Sequence, residues 1–121
     1  ETLHIVDDQI STPTWARTLA EASTQVVAQG RGTIHDFMID NRGLYHLSDG
    51  GYCSRFDWAK KILALDPNKE EQVTNEILPA KSSDFPTPAM RPTVSILNCN
   101  KFITRFNLYT KPWDVVLEIS I

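Results

Sequence analysis

The sequence is poor in several features that mark specialised classes of protein. It has only two cysteines, Cys53 and Cys99, which lie far apart and form no CxxC pair. A disulfide framework and a structural zinc site are therefore not supported, and both thiols are expected to be reduced. No apolar run reaches the roughly 18 residues that a membrane span needs, and the first eight residues lack the layout of a signal peptide. We expect a cytoplasmic protein with no membrane partner.

The chain also lacks an excess of either charge. Its 12 basic and 15 acidic residues give a net charge of −3, and neither sign collects into a long block. A nucleic-acid partner is not expected, because no basic surface would track a phosphate backbone. The three histidines are too few and too scattered for ligands on one helix face, so no metal site is predicted: His4, His35 and His46.

Catalytic signatures are missing as well. Gly30-Arg31-Gly32 is accompanied by neither GxxxxGK nor GxGxxG, and we interpret it as a connection. No serine lies in a GxSxG elbow, and neither cysteine has the context of an activated thiolate. No tyrosine has a lysine four residues later, because those positions are Asp49, Phe56 and Trp113. We assign no catalytic residue and no cofactor-binding residue, and expect a binding role.

What the sequence does contain is enough for one domain, since 41% of its 121 residues are apolar. Residues 3–6 predict a strand, and a chain that starts so close to a strand suggests an amino-terminal portion elsewhere. A helix should follow, with Thr12 as its cap, Pro13 in its first turn and Gly30 as a left-handed stop. Its apolar face would carry Trp15, Leu19, Ala22 and Val26.

The middle of the chain is less regular. Residues 33–42 match neither the helical nor the strand period and are interpreted as strand or loop, whereas residues 43–47 predict a strand. Ser54, with Asp57 three positions later, predicts the cap of a helix that Pro67 ends.

A short strand is predicted at Ile77-Leu78, before a proline-rich stretch that could form the stiff wall of a binding cleft. Asn98 should cap a helix that carries Phe102, Ile103 and Phe106, and Pro112 should open a last helix. About four helices and two or three short strands indicate the α/β class. These strands are too few for a doubly wound sheet, so the sheet is expected to continue in a missing domain.

Two polar features are candidates for a site. Asp7 and Asp8 are neighbours at the end of a predicted strand, where a solvated turn is favoured over a ligand contact. Arg91 lies on the proline-rich stretch, where its planar guanidinium could hold a phosphate or carboxylate through two parallel hydrogen bonds. A surface salt bridge is the alternative role for Arg91.

Several segments, in order, resemble the carboxy-terminal part of the dTDP-4-dehydrorhamnose reductases, which are extended short-chain dehydrogenases/reductases. The resemblance spans nearly all 121 residues, and its order and approximate spacing are more specific than any single motif. The matching residues are Val6-Asp7-Asp8-Gln9, Pro13-Thr14, Gly43-Leu44-Tyr45-His46-Leu47-Ser48, Ser54 with Phe56 and Ala59, Pro88-Ala89-Met90-Arg91-Pro92, Ser95-Ile96-Leu97, and Trp113 with Leu117.

The resemblance implies that residues 1–121 are the carboxy-terminal substrate-binding domain of a longer chain, with the Rossmann domain absent. That domain would bind NADPH and carry the Tyr-x-x-x-Lys pair, and the segment seen here would close over a dTDP-sugar. The resemblance further implies a place for Asp8 and Gln9 at the rim between the two domains. Thr14 would begin the helix behind them, and Arg91 would approach the diphosphate.

Two departures from the family pattern and two other functions stay open. Ser11 stands where the family often has glycine. Arg17 occupies a position that is acidic in some relatives, and in those relatives the acidic residue assists a metal at a dimer contact. We therefore predict no metal and leave a homodimer open. A non-catalytic subunit like the regulatory partner of methionine adenosyltransferase, or another nucleotide-sugar epimerase or dehydratase, would share this fold. The upstream sequence would discriminate between them.

Overall fold

A computed structural model describes all 121 residues as an α/β arrangement of five helices and five short strands. The α/β class predicted from the sequence is confirmed. None of the helices is both long and apolar enough to cross a membrane. The elements are, in chain order, β1 (Thr2–Val6), β2 (Ile10–Ser11), α1 (Ala16–Gln29), α2 (Ile34–Asp40), β3 (Cys53–Ser54), α3 (Arg55–Leu65), β4 (Glu76–Ala80), β5 (Val94–Ser95), α4 (Asn100–Phe106) and α5 (Trp113–Ser120).

The strands form two small sheets. β1 pairs with β4 in parallel, with Val6 opposite Ala80 at the last pair. β2 lies between β3, to which it is antiparallel, and β5, to which it is parallel. Because β1 and β4 are parallel, the segments that follow them leave the sheet at the same edge.

The main apolar core lies where α1 and α4 meet. Ala22 is buried against Phe102 and Phe106, whose ring centroids are 5.0 Å apart. Tyr45 packs on Phe106 at 5.0 Å, and Phe37 lies 6.4 Å from the same ring. Tilted aromatic pairs at these distances add stability beyond the area that they bury. The phenylalanines of α4 therefore hold the central part of the chain together.

The start of α1 differs from the prediction. The helix begins at Ala16, so Thr12 is not its cap and Pro13 precedes the first turn. The Thr12 hydroxyl donates to the Gly51 carbonyl at 2.7 Å, and Asp49 Oδ2 instead accepts from the backbone N–H of Trp15 at 2.9 Å. Asp49, which is 34 residues away in sequence, therefore accepts the hydrogen bond that Thr12 was predicted to accept at the start of the helix.

Gly30 does follow the last residue of α1, but with φ of −83° it is not in the left-handed conformation. A Cβ at this position would lie 2.7 Å from Ile34 Cδ1 and 3.0 Å from Phe37 Cδ1. Glycine therefore suits this position because α2 approaches too closely to leave room for a side chain, and not because the backbone has a positive φ.

Two predictions for the middle of the chain were wrong. Residues 34–40 form helix α2, because Ile34 and Phe37 are spaced three apart and meet Gly30 on one side. Residues 43–47 form no strand. Tyr45 and Leu47 in this segment pack on the aromatic core with no strand pairing, so their alternation reflects side-chain burial and not a sheet.

The cap of α3 is confirmed. Ser54 Oγ accepts from the backbone N–H of Asp57 at 3.0 Å and donates to Asp57 Oδ2 at 2.7 Å. The helix ends at Leu65, two residues before Pro67. Helix α4 begins at Asn100, where the backbone N–H donates to Asn98 Oδ1 at 3.0 Å, and α5 follows Pro112. Asn98 is therefore just before the cap position, which Cys99 occupies.

Replacing Ser54 with alanine should lower the free energy of unfolding by about 1 kcal/mol, because the first turn of α3 loses its acceptor. Urea unfolding followed by circular dichroism would measure this change. Ser23→Ala is the matched control, since Ser23 is exposed in the interior of α1 and alanine favours helix there. Equal midpoints for the two variants would contradict a capping role.

Much apolar surface stays in contact with solvent. Only 10 of 121 residues are buried, and several large apolar side chains are strongly exposed. Where exposed apolar side chains form a contiguous patch, they commonly mark contact sites for other domains or proteins. The most exposed examples are Met90 at 97%, Leu44 at 75%, Tyr109 at 75% and Val73 at 73%.

Candidate functional site

The candidate site is a cleft of about 480 Å³ at the edge where β1 and β4 end. Val6 and Gln9 line it on one side, and the proline-rich segment 82–91 lines it on the other. Arg55, the first residue of α3, and Arg91 also contribute to its wall. The same two arginines and Gln9 line a smaller adjoining pocket of about 120 Å³. Two positive charges therefore lie along one depression.

A hydrogen-bond network fixes the segment that forms the wall of this cleft. Ser82 donates its backbone N–H to Asp8 Oδ1 at 3.0 Å and its hydroxyl to the same oxygen at 2.6 Å. Gln9 Nε2 donates to Ser82 Oγ at 2.9 Å. Lys81 Nζ lies 2.8 Å from Asp7 Oδ1. Consecutive residues after β1 are thus tied to consecutive residues after β4.

Asp8 acts in this network as a charged acceptor. The hydroxyl of Ser82 is the largest cause that lowers the pKa of Asp8 below its ordinary value of 3.8, followed by the Ser82 backbone N–H. A carboxylate held in this way is ionised at neutral pH. Asp8 therefore supports the wall of the cleft and adds a negative charge near it.

The anchor should weaken in acid, because the folded-state pKa of Asp8 is lowered. Its contribution to stability is present above pH 3.8 and is lost as the pH falls through the lower folded value. Ser82→Ala should move the carbon-13 titration midpoint of the Asp8 carboxyl upward, toward 3.8. Ser83→Ala, at the next position, is the control and should leave it in place. Identical midpoints in the wild type and both variants would show that the Ser82 hydroxyl does not lower the pKa of Asp8.

The structure brings three of the four predicted site residues together and leaves one apart. Gln9 and Arg91 line the cleft, and Asp8 holds its wall. Thr14 lies elsewhere, in a separate cavity with Asp49 and three tryptophans. Its hydroxyl donates to the Thr12 carbonyl at 3.2 Å.

Sequence reasoning missed Arg55. No motif marks it, because its importance comes from its position as the first residue of α3, directly after the cap residue Ser54. β3 pairs with β2 at this point, with Ser54 opposite Ile10, and this pairing brings Arg55 beside the segment after β1. The one feature of the sequence that could have indicated Arg55 is that it is a basic residue directly after the predicted cap, Ser54.

The cleft presents two guanidinium groups, those of Arg55 and Arg91. No group of three or more His, Cys, Asp or Glu side chains is placed to hold a metal ion. Cys53 is buried, and desolvation, with smaller effects of Asp57 and Asp114, raises the pKa of its thiol to about 11. Such a thiol is protonated at neutral pH and is a poor nucleophile. Guanidinium groups in a cleft instead suit an anionic ligand.

Comparison with known proteins decides the family. The model of the RmlD substrate binding domain matches residues 1–121, which is the whole chain. The chain belongs to the RmlD substrate-binding domain family. This finding confirms the resemblance that the ordered sequence segments indicated.

Relatives of this RmlD domain include proteins named as reductases. The chain is 32% identical to dTDP-4-dehydrorhamnose reductase of Salmonella typhimurium over 95% of its length, and 29% identical to the Burkholderia thailandensis protein over 100%. It covers 37% and 41% of those proteins, respectively. The chain therefore spans about two fifths of the curated relatives that it matches.

Solved structures agree with the sequence matches. The dTDP-4-dehydrorhamnose reductase of Bacillus anthracis, in complex with NADP, is similar with a TM-score of 0.76 and 30% identity. The Clostridium acetobutylicum enzyme gives 0.76 and 28%. In each case the similarity covers 98% of this chain and 37% of the other.

Both departures from the RmlD pattern have local structural roles. Ser11 belongs to β2, opposite Cys53 and Ser95, so a side chain fits where the family often has glycine. Arg17 Nε lies 2.7 Å from Glu21 Oε1 one helical turn away. Both side chains are exposed, so this ion pair contributes little to stability.

Proposed function

We propose that this RmlD domain binds the nucleotide sugar for a dTDP-4-dehydrorhamnose reductase. The complete protein would reduce dTDP-4-dehydro-6-deoxy-L-mannose to dTDP-L-rhamnose. The observation that carries the proposal is the cleft in which Arg55, Arg91 and Gln9 lie together. A diphosphate is the part of such a ligand that needs two positive charges. The family's relatives that are named as dTDP-4-dehydrorhamnose reductases support the choice of sugar.

Arg55 and the four predicted site residues take three different roles in this proposal. Arg91 and Arg55 approach the diphosphate, where a planar guanidinium makes charge-assisted hydrogen bonds to phosphate oxygens. Gln9 and Asp8 hold Ser82 and so position the wall that carries Arg91. Thr14 acts only indirectly, because its hydroxyl contacts Asp49 and Thr12 at the start of α1.

The other half of the reaction is proposed to lie outside these residues. NADPH would be bound mainly by an amino-terminal Rossmann domain that also carries the Tyr-x-x-x-Lys pair. That domain is a partner whose docking would cover part of the exposed apolar surface. A homodimer and a cytoplasmic location stay predictions.

The proposal is tested by NADPH oxidation. The full-length protein, encoded by the complete gene, should consume NADPH when given dTDP-4-dehydro-6-deoxy-L-mannose, and residues 1–121 alone should not. Full-length protein that binds dTDP but leaves NADPH and ketosugar unchanged would refute the reductase and favour a non-catalytic subunit of the same fold. NADPH turnover by residues 1–121 alone would also refute this division of labour.

A further inference from the structure

A second cavity, of about 160 Å³, lies between the start of α1, the first turn of α3 and one side of α5. Trp15, Trp58 and Trp113 all line it, and these are the three tryptophans of the sequence. They come from three different helices or helix starts. Tryptophan has the aromatic face that attracts cations most strongly.

Asp49 lines the same cavity and is almost entirely buried, with 3% of its surface exposed. Its Oδ2 accepts from the backbone N–H of Trp15, but its Oδ1 is buried and has no hydrogen-bond partner. None of the ion pairs in the structure involves Asp49. A buried carboxylate oxygen without a partner is unusual and costly, because the lost hydration is not replaced.

The other polar side chains of the cavity do not supply the missing donor. Thr14 Oγ1 donates its single proton to the Thr12 carbonyl at 3.2 Å. Ser120 Oγ donates to the Leu117 carbonyl at 2.9 Å. The three tryptophans carry indole N–H donors, but none of these donates to Asp49 Oδ1, and the remaining lining side chains are apolar. The start of α1 favours a negative charge on Asp49 but provides no contact to Oδ1.

We propose that this cavity binds an alkylammonium group, from either a free amine or a lysine side chain of another protein. The cation would donate an N–H to Asp49 Oδ1, and the tryptophan rings would surround its alkyl part. An alkylammonium suits both the Asp49 carboxylate and the tryptophan rings, since it combines positive charge, a donor and apolar surface. This inference is independent of the proposed reductase function, because the arginine-lined cleft has none of these residues in its wall.

Tryptophan fluorescence tests the proposal directly, because every tryptophan lines the cavity. The chain would be titrated at constant ionic strength with three probes of similar size. Trimethylammonium has a charge and one N–H, tetramethylammonium has a charge and no N–H, and tert-butanol is neutral with one O–H. We expect trimethylammonium to bind most tightly and tert-butanol at least about tenfold more weakly, which is the effect of one charge-assisted hydrogen bond.

Asp49→Asn keeps the size of the side chain and an acceptor for Trp15, and should weaken trimethylammonium binding at least about tenfold. Asp36→Asn, on exposed α2, is the charge-matched control and should bind as the wild type does. Circular dichroism would confirm that both variants keep their helices. If Asp49→Asn is unfolded, the order of the affinities of the three probes for the unmodified chain still tests the proposal.

Equal affinity for tert-butanol and trimethylammonium would overturn the proposal, as would unchanged binding by folded Asp49→Asn. Absence of any fluorescence response to the three probes would overturn it as well. Nα-acetyl-lysine amide distinguishes the two sources. Tighter binding than trimethylammonium would support a protein lysine as the natural occupant, and weaker binding would support a free amine.

Discussion

Replacing Arg91 with methionine should weaken the binding of dTDP at least about tenfold. Methionine keeps the length and apolar part of the side chain but removes the guanidinium. A charge-assisted hydrogen bond contributes about 1.5–3 kcal/mol, and a tenfold change corresponds to about 1.4 kcal/mol. Isothermal titration calorimetry with dTDP would measure the loss. Arg55→Met should act in the same direction, since Arg55 lines the same cleft.

Ligand charge sharpens this prediction. The loss caused by Arg91→Met should be largest for dTDP, smaller for dTMP and absent for thymidine, because the arginine would contact phosphate and not the base. Arg91→Lys should fall between methionine and arginine, as it keeps the charge but not the planar fork. Arg31→Met is the matched control, because Arg31 is exposed outside the cleft. A loss equal for dTDP and thymidine would contradict the diphosphate role of Arg91.

Replacing Phe106 with alanine should lower the free energy of unfolding by about 3–5 kcal/mol, which is the usual cost of truncating a buried phenylalanine. Phe106 is 5% exposed and touches three other aromatic rings: Phe37, Tyr45 and Phe102. Because few residues of this chain are buried, such a loss takes a large share of its total stability.

Chemical unfolding in urea would measure the effect of Phe106→Ala. Tyr109→Ala is the control, since it also removes an aromatic ring in the same region but from a residue that is 75% exposed. Its free energy of unfolding should stay within about 0.5 kcal/mol of the wild type. Similar costs for the two variants would show that the aromatic cluster is not the main core.

Local sequence patterns predicted the elements whose causes are local. The apolar run of β1, the Ser54 cap of α3 and the apolar spacing of α4 each lie within a few residues of the element that they specify. Helix α2 was missed because Ile34 and Phe37 pack against Gly30, which directly follows α1. That contact cannot be inferred from the spacing of apolar residues within α2. The cap of α1 was misassigned because its acceptor, Asp49, is distant in sequence.

The candidate site could be predicted only in part, for the same physical reason. Gln9 was identified from a family resemblance, and Arg91 also from its place on the proline-rich stretch, but their shared cleft depends on the parallel pairing of β1 with β4 and of β2 with β5. Arg55 joins them through the pairing of β2 with β3. Neither strand register nor the cavity of three tryptophans is encoded in a short motif.

The cleft after β1 and β4 is proposed to receive the diphosphate of a dTDP-sugar. Amide chemical shifts of the nitrogen-15-labelled chain, followed during titration with dTDP, test it most directly. We expect saturable shifts at Gln9, Arg55 and Arg91, with little change in α2. Shifts confined to other surfaces, or none at these three residues with millimolar dTDP, would contradict it.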